Sequence, residues 1–123
     1  MTASDRRLRA LRGATTVSRD DGALVLAATS ELLREMTTRN GVQPDDIVSV
    51  LFTVTDDLRS EFPARAAREL GWRDVPLLCT VEIPVPGALP RCIRVLMHLE
   101  TTRERSSLRH VYLGEARVLR PDL

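Results

Sequence analysis

The chain has no lysine. All 18 of its basic residues are arginine. That excludes a Schiff-base lysine, a pyridoxal phosphate anchor and the lysine of a phosphate-binding P-loop. Aromatic residues make up only 3%, too few for a platform on which nucleic acid bases stack. Charge of one sign is also lacking: 18 basic against 17 acidic residues leave a formal net charge of +1, so no strong field invites a polyanion. Nucleic acid is therefore not an expected partner. No apolar run approaches the ~20 residues of a membrane span, and the basic N-terminal MTASDRRLRALRG has no apolar core of a signal peptide. The two cysteines, Cys79 and Cys92, have neither metal-site nor redox spacing and read as free thiols. These absences together predict a cytoplasmic protein with no membrane contact.

What is present fits one domain of 123 residues. RRLRALRGATTV (6–17) reads as a short strand ending near Gly13. SRDD looks like a helix start, with Ser18 and Asp21 in a capping pattern. The helix should run from about 20 to 39, with Leu24, Ala28, Leu32 and Met36 inward and Asn40-Gly41 as its stop. IVSVLFTVT (47–55) is nearly continuously apolar and predicts a strand buried on both faces. Pro63, the alanines at 64, 66 and 67, and Gly71 bound a second, shorter helix. VPLLCTVEIPV (75–85) is a strand interrupted at Pro84, CIRVLMHLET (92–101) a long one, and RHVYLGEA (109–116) a further strand-like segment. The order β-α-β-α-β-β-β predicts an α/β or α+β domain, a mixed sheet with its helices on one face.

CIRVLMHLE poses the functional question. Ile93, Val95, Met97 and Leu99 alternate onto a core face. Cys92, Arg94, Leu96, His98 and Glu100 occupy the other, which is neither core nor ordinary surface. A buried guanidinium needs a partner, and half-polar strands of this kind suggest that a second subunit covers the face. No glycine-rich loop, HExxH, CxxC or GxSxG occurs, and His98 and His110 stand alone as exposed or interface residues. An enzyme built from this sequence would work by positioning and electrostatics, without nucleophile, metal or cofactor.

Four segments, RGATTV (12–17), FPARAARELGW (62–72), CTVEIPVPGALPRCIRV (79–95) and RHVYLGEARVLRPDL (109–123), together resemble the monofunctional AroH-type chorismate mutases. The resemblance implies a homotrimer forming a pseudo-α/β barrel, with pockets between adjacent subunits. It implies a Claisen rearrangement of chorismate to prephenate on the way to phenylalanine and tyrosine. It also implies roles. Arg94 would donate to the ether oxygen, Arg12 and Tyr112 would hold a carboxylate, and Glu82 would accept from the ring hydroxyl with Cys79 near it. Phe62 and Arg68, on the short helical segment, would close over the site, and Leu119 and Arg120 would cover its mouth. Two positions depart from the family: Arg65 replaces a lysine, and Leu78 a smaller or hydroxyl-bearing residue beside the pocket. Taken singly, each of these residues has a plainer reading. Arg94 could serve an interface salt bridge, Arg12 could pair with Glu82, Tyr112 could be a half-buried strand aromatic and Cys79 a small core residue. The rival readings are a non-catalytic trimer that binds a small carboxylate and an enamine-processing trimer of similar barrel shape.

Overall fold

A computed structural model describes residues 5–120. Five strands form one mixed sheet: β1 (Arg7–Thr16), β2 (Ile47–Val54), β3 (Leu77–Val81), β4 (Cys92–Thr101) and β5 (Val111–Tyr112), in the spatial order β3-β2-β4-β1-β5. β4 runs antiparallel to both β1 and β2, whereas the outer pairs β2/β3 and β1/β5 are parallel. Two helices, α1 (Gly22–Asn40) and α2 (Ala64–Glu69), pack with the strands into a core on one face. Short 3₁₀ turns occupy Pro44–Asp46, Arg105–Ser107 and Gly114–Leu119. The expected mixed sheet with helices to one side is the observed architecture. The residues of RPDL beyond Arg120 lie outside the described residues.

Local chemistry accounts for most of the boundaries. Asp21, rather than Ser18, is the α1 N-cap, and its carboxylate accepts from the Leu24 N–H at 3.2 Å. The helix ends at Gly41, whose φ of 62° is the left-handed conformation that glycine adopts without penalty. Its buried face consists of Val25, Thr29, Leu32, Leu33, Met36 and Asn40. Leu24 and Ala28, expected to point inward, are only half-buried at its edge. Steps of four residues drift about 40° per step around a helix, so a real face mixes steps of three and four. β1 continues past Gly13 to Thr16 because its antiparallel ladder with β4 extends to Thr16 opposite Cys92. At Gly13 the helix comes so close that an added Cβ would lie 2.5 Å from the Met36 sulfur, so this position admits no side chain without movement.

The core face of β4 is as expected: Ile93, Met97 and Leu99 are fully buried and Val95 nearly so. Phe52 and Val50 of β2 join them beneath α1 and α2. β2, however, is not buried on both faces. Val48 is 43% exposed and Leu51 half-buried. A bulge between Ile47 and Ser49 shifts the alternation, which puts both Ile47 and Val50 into the core. β3 stops at Val81, before Pro84, and β5 has only two residues before the chain turns into 3₁₀ structure. Within one chain the second face of the sheet carries no helix, apart from a patch where Leu89, Ala116 and Leu119 close over Ala14 and Cys92. Cys92 is therefore buried rather than part of an open polar face, and burial pushes its thiol pKa up.

Candidate active site

The register of the sheet assembles a row of side chains across all five strands. Thr80 pairs with Thr53, Thr53 with Arg94, Arg94 with Ala14, and Ala14 with Tyr112. Two residues further along each strand lies an apolar row, Leu78, Leu51 and Leu96, which ends at Arg12. Side chains two residues apart on a strand share a face. From these two rows Arg12, Leu51, Thr53, Thr80, Arg94, Leu96 and Tyr112, joined by Glu82, line a concavity of about 350 Å³. Ala14, between Arg94 and Tyr112 in the row, is fully buried beneath the Ala116 and Leu119 segment.

Glu82 enters from the chain just beyond β3. Its N–H donates to the Val54 carbonyl at 2.8 Å, extending the parallel ladder by one bond, and its Oε1 accepts from the Thr53 hydroxyl at 2.8 Å. Thr53 thereby aims a carboxylate into the cavity. Arg12 and Arg94 are exposed and, among the described residues, neither forms an ion pair. The Arg94 guanidinium lies against the Cys92 thiol, where its charge opposes the upward shift that burial imposes. The expectation that Arg94 would be buried against a partner is not met within one chain. The cavity therefore offers two guanidiniums outside any ion pair among the described residues and one oriented carboxylate, between apolar walls. Such a set suits a small anion that also carries a hydroxyl.

The sequence profile described as chorismate mutase type I matches residues 8–123. The chain belongs to that family. It is 51% identical to the chorismate mutase AroH of Thermus thermophilus over 117 residues, covering 94% of this chain and 96% of that protein. It is 46% identical to the chorismate mutase AroH of Bacillus subtilis (strain 168), again over 117 residues, covering 94% of this chain and 92% of the relative. The solved chorismate mutase from Clostridium thermocellum superposes with a TM-score of 0.89 at 50% identity, over 89% of this chain and 98% of that one.

The remaining positions suggested by the chorismate mutase resemblance divide by location. Leu119 packs on the Ala14–Cys92–Ala116 patch beside Tyr112, and Arg120 lies near enough for its charge to act on His110. Five others lie apart from the 350 Å³ cavity. Cys79 and Phe62 line a separate concavity of about 270 Å³, which meets the first at Thr80. Phe62 is 68% exposed, and the loop before it is pinned at two points. Asp20 accepts from the Arg59 and Ser60 N–H groups and from the Ser60 hydroxyl at 2.6 Å, which holds its carboxyl below the usual range. Glu61 accepts from the Phe62 N–H at 2.8 Å and from Arg65 at 2.6 Å, and it too is lowered, chiefly by the Phe62 bond. Arg65 is engaged on the α2 surface, with a second contact to Glu69 at 3.3 Å. Arg68 lines a third concavity with Trp72 and Arg73. Leu78 is 60% exposed at the sheet edge.

Sequence reasoning missed Thr53, Thr80, Leu51 and Leu96, all of which line the first cavity. Their alternation was visible, but cross-strand register was not. Within one chain His110, expected as an exposed or interface residue with a small chance of touching a ligand, is half-buried, and its Nδ1 accepts from the Arg12 backbone N–H at 2.9 Å, a contact the sequence did not reveal.

Proposed function

We propose that the protein is a chorismate mutase, converting chorismate to prephenate for phenylalanine and tyrosine synthesis in the cytoplasm. One observation supports this most directly: Arg12, Glu82, Arg94 and Tyr112, from four separate parts of the chain, line one cavity in a member of the chorismate mutase family. In the rearrangement a C–O bond breaks while a C–C bond forms within one molecule. Negative charge grows on the ether oxygen as its bond stretches. Arg94 stabilises that charge where it appears. An interaction stronger in the transition state than with bound substrate raises the rate. Arg12, with its planar fork, and Tyr112 hold a carboxylate, while Glu82, steadied by Thr53, accepts from the ring hydroxyl. The chemistry is intramolecular and needs neither nucleophile nor cofactor.

The working form is a homotrimer, in which Phe62, Arg65, Arg68, Leu78 and Cys79 of one subunit complete the pocket of the next, with Leu119 and Arg120 at its mouth. The separation of these groups within one chain supports this reading. So do the exposed apolar residues Leu78, Val81, Ile83 and Val85 on and after β3, whose outer side has no strand neighbour among the described residues. The two free thiols fit a reducing compartment.

Purified protein should deplete chorismate absorbance with stoichiometric formation of prephenate. Binding of chorismate without its loss would instead identify a carboxylate-binding module. Sedimentation should give the mass of three chains, and a monomer with full turnover would remove the shared pocket.

A further inference from the structure

The β1–β5 junction beside the cavity is completed by the side chain of His110. β5 contributes only two paired residues, Val111 opposite Gly13 and Tyr112 opposite Ala14. On the β5 side of β1, the Ala14 carbonyl accepts from the Leu113 N–H at 2.9 Å. The Arg12 N–H lies on that same side, because residues i and i+2 of a strand present their backbone groups alike. The strand offers it no carbonyl there. The His110 ring takes the carbonyl's place, with Nδ1 accepting from Arg12 N–H at 2.9 Å. The backbone that carries the ring is held one residue earlier from α1. Buried Asn40 accepts from the Arg109 N–H at 2.7 Å and donates to the Arg109 carbonyl at 2.9 Å. Asn40, Arg109, His110 and Arg12 thus form one strut from the end of the helix to the cavity floor.

We infer that neutral His110, protonated on Nε2, sets the position of Arg12 relative to Tyr112, and that protonation of Nδ1 releases it. A protonated Nδ1 carries a hydrogen and cannot accept one, so charging the ring replaces the bond with a repulsion between two N–H groups. Among the described residues the charged groups acting on the ring are the guanidiniums of Arg12 on β1 and Arg120 after the terminal 3₁₀ turn. Asn40 of α1, which holds the neighbouring residue, is uncharged. Burial comes first, and then these two cations, in holding the His110 pKa below the ordinary imidazole value. The strut is intact above that lowered pKa and breaks as pH falls through it.

The inference rests on the chorismate mutase reading, and its test has an arm independent of turnover. Imidazole nitrogen shifts in the wild-type protein above pH 7 should report an unprotonated Nδ1 and a protonated Nε2. The opposite tautomer overturns the inference whether or not chorismate is consumed. For activity, His110→Ala should lower kcat/KM about tenfold, the worth of one good hydrogen bond. His110→Asn places an amide oxygen where Nδ1 stood and does not titrate, so it should restore most of that rate. The wild type should show an acid limb in kcat/KM with a midpoint below ~6.5, and His110→Asn should lack it. An unchanged rate in His110→Ala, or the same acid limb in His110→Asn, defeats the inference while leaving the mutase reading in place. Absence of chorismate turnover in the wild type defeats that reading instead.

Discussion

Arg94→Ala removes the cation that the proposed mechanism sets against the ether oxygen, and its cost can be estimated from its surroundings. The side chain is exposed and, among the described residues, has no carboxylate partner. Its neighbours on the same row are Thr53 and Ala14, neither of which can take over its charge. Losing one pre-oriented donor to a developing oxyanion typically costs roughly 3–4 kcal/mol, or 10²–10³ in kcat. Even a modest enzymatic acceleration of about 10⁶ requires ~8 kcal/mol, so this one contact would supply a large share. The rest would come from holding the reactive conformer. Stability should change by less than about 1 kcal/mol, since the side chain is exposed and what it gives up is its contact with the Cys92 thiol. The measurement is initial-rate loss of chorismate absorbance beside urea unfolding of the same preparation. A fall in kcat and kcat/KM together, with an unchanged unfolding midpoint, is the expected pattern for an interaction made in the transition state. Arg94→Lys keeps the charge without the fork and should fall between the two. If Arg94→Ala retained more than half the wild-type rate, or lost its rate only because it unfolded, the electrostatic account would be refuted.

Asn40→Ala should destabilise the chain by roughly 2–3 kcal/mol in urea unfolding, because the Arg109 N–H and carbonyl both lose a buried partner. Gly13→Ala drives a methyl group toward the Met36 sulfur and the Leu32 side chain, and overpacking of this kind should cost about 1–3 kcal/mol by the same assay. Asp20 binds its proton less readily folded than unfolded, so its contribution is fully present above the ordinary carboxylate value near ~3.9 and is lost as pH falls through the lowered folded value. Asp20→Ala should therefore weaken the acid dependence of the melting temperature below about pH 4, and should raise KM for chorismate by freeing the loop that carries Phe62.

How much of this could be read from residues alone varied with the range of the interaction. β4 was legible because its alternation is uninterrupted and its inward residues are all bulky. α1 was legible at both ends because Asp21 and Asn40-Gly41 act on backbone groups only a few residues away. β2 misled because its apolar run conceals a bulge and an open face, neither of which composition reveals. The ends of β3 and β5 were overextended because pairing partners, not local propensity, decide where a short strand stops. Cys92 seemed to belong to a polar face until a segment more than 20 residues downstream closed over it.

The sequence by itself determined the chemical inventory: arginines without lysine, a few placed carboxylates, four aromatic rings, and the periodicities that make two helices and a half-apolar sheet. Those are properties of single residues and near neighbours, governed by sterics and local hydrogen bonding. Only the tertiary structure decided that Thr80, Thr53, Arg94, Ala14 and Tyr112 stand in one row, that Thr53 aims Glu82, and that His110 supplies an acceptor to Arg12. Register between strands distant in sequence is set by the summed burial of a whole face, and no single segment carries that information.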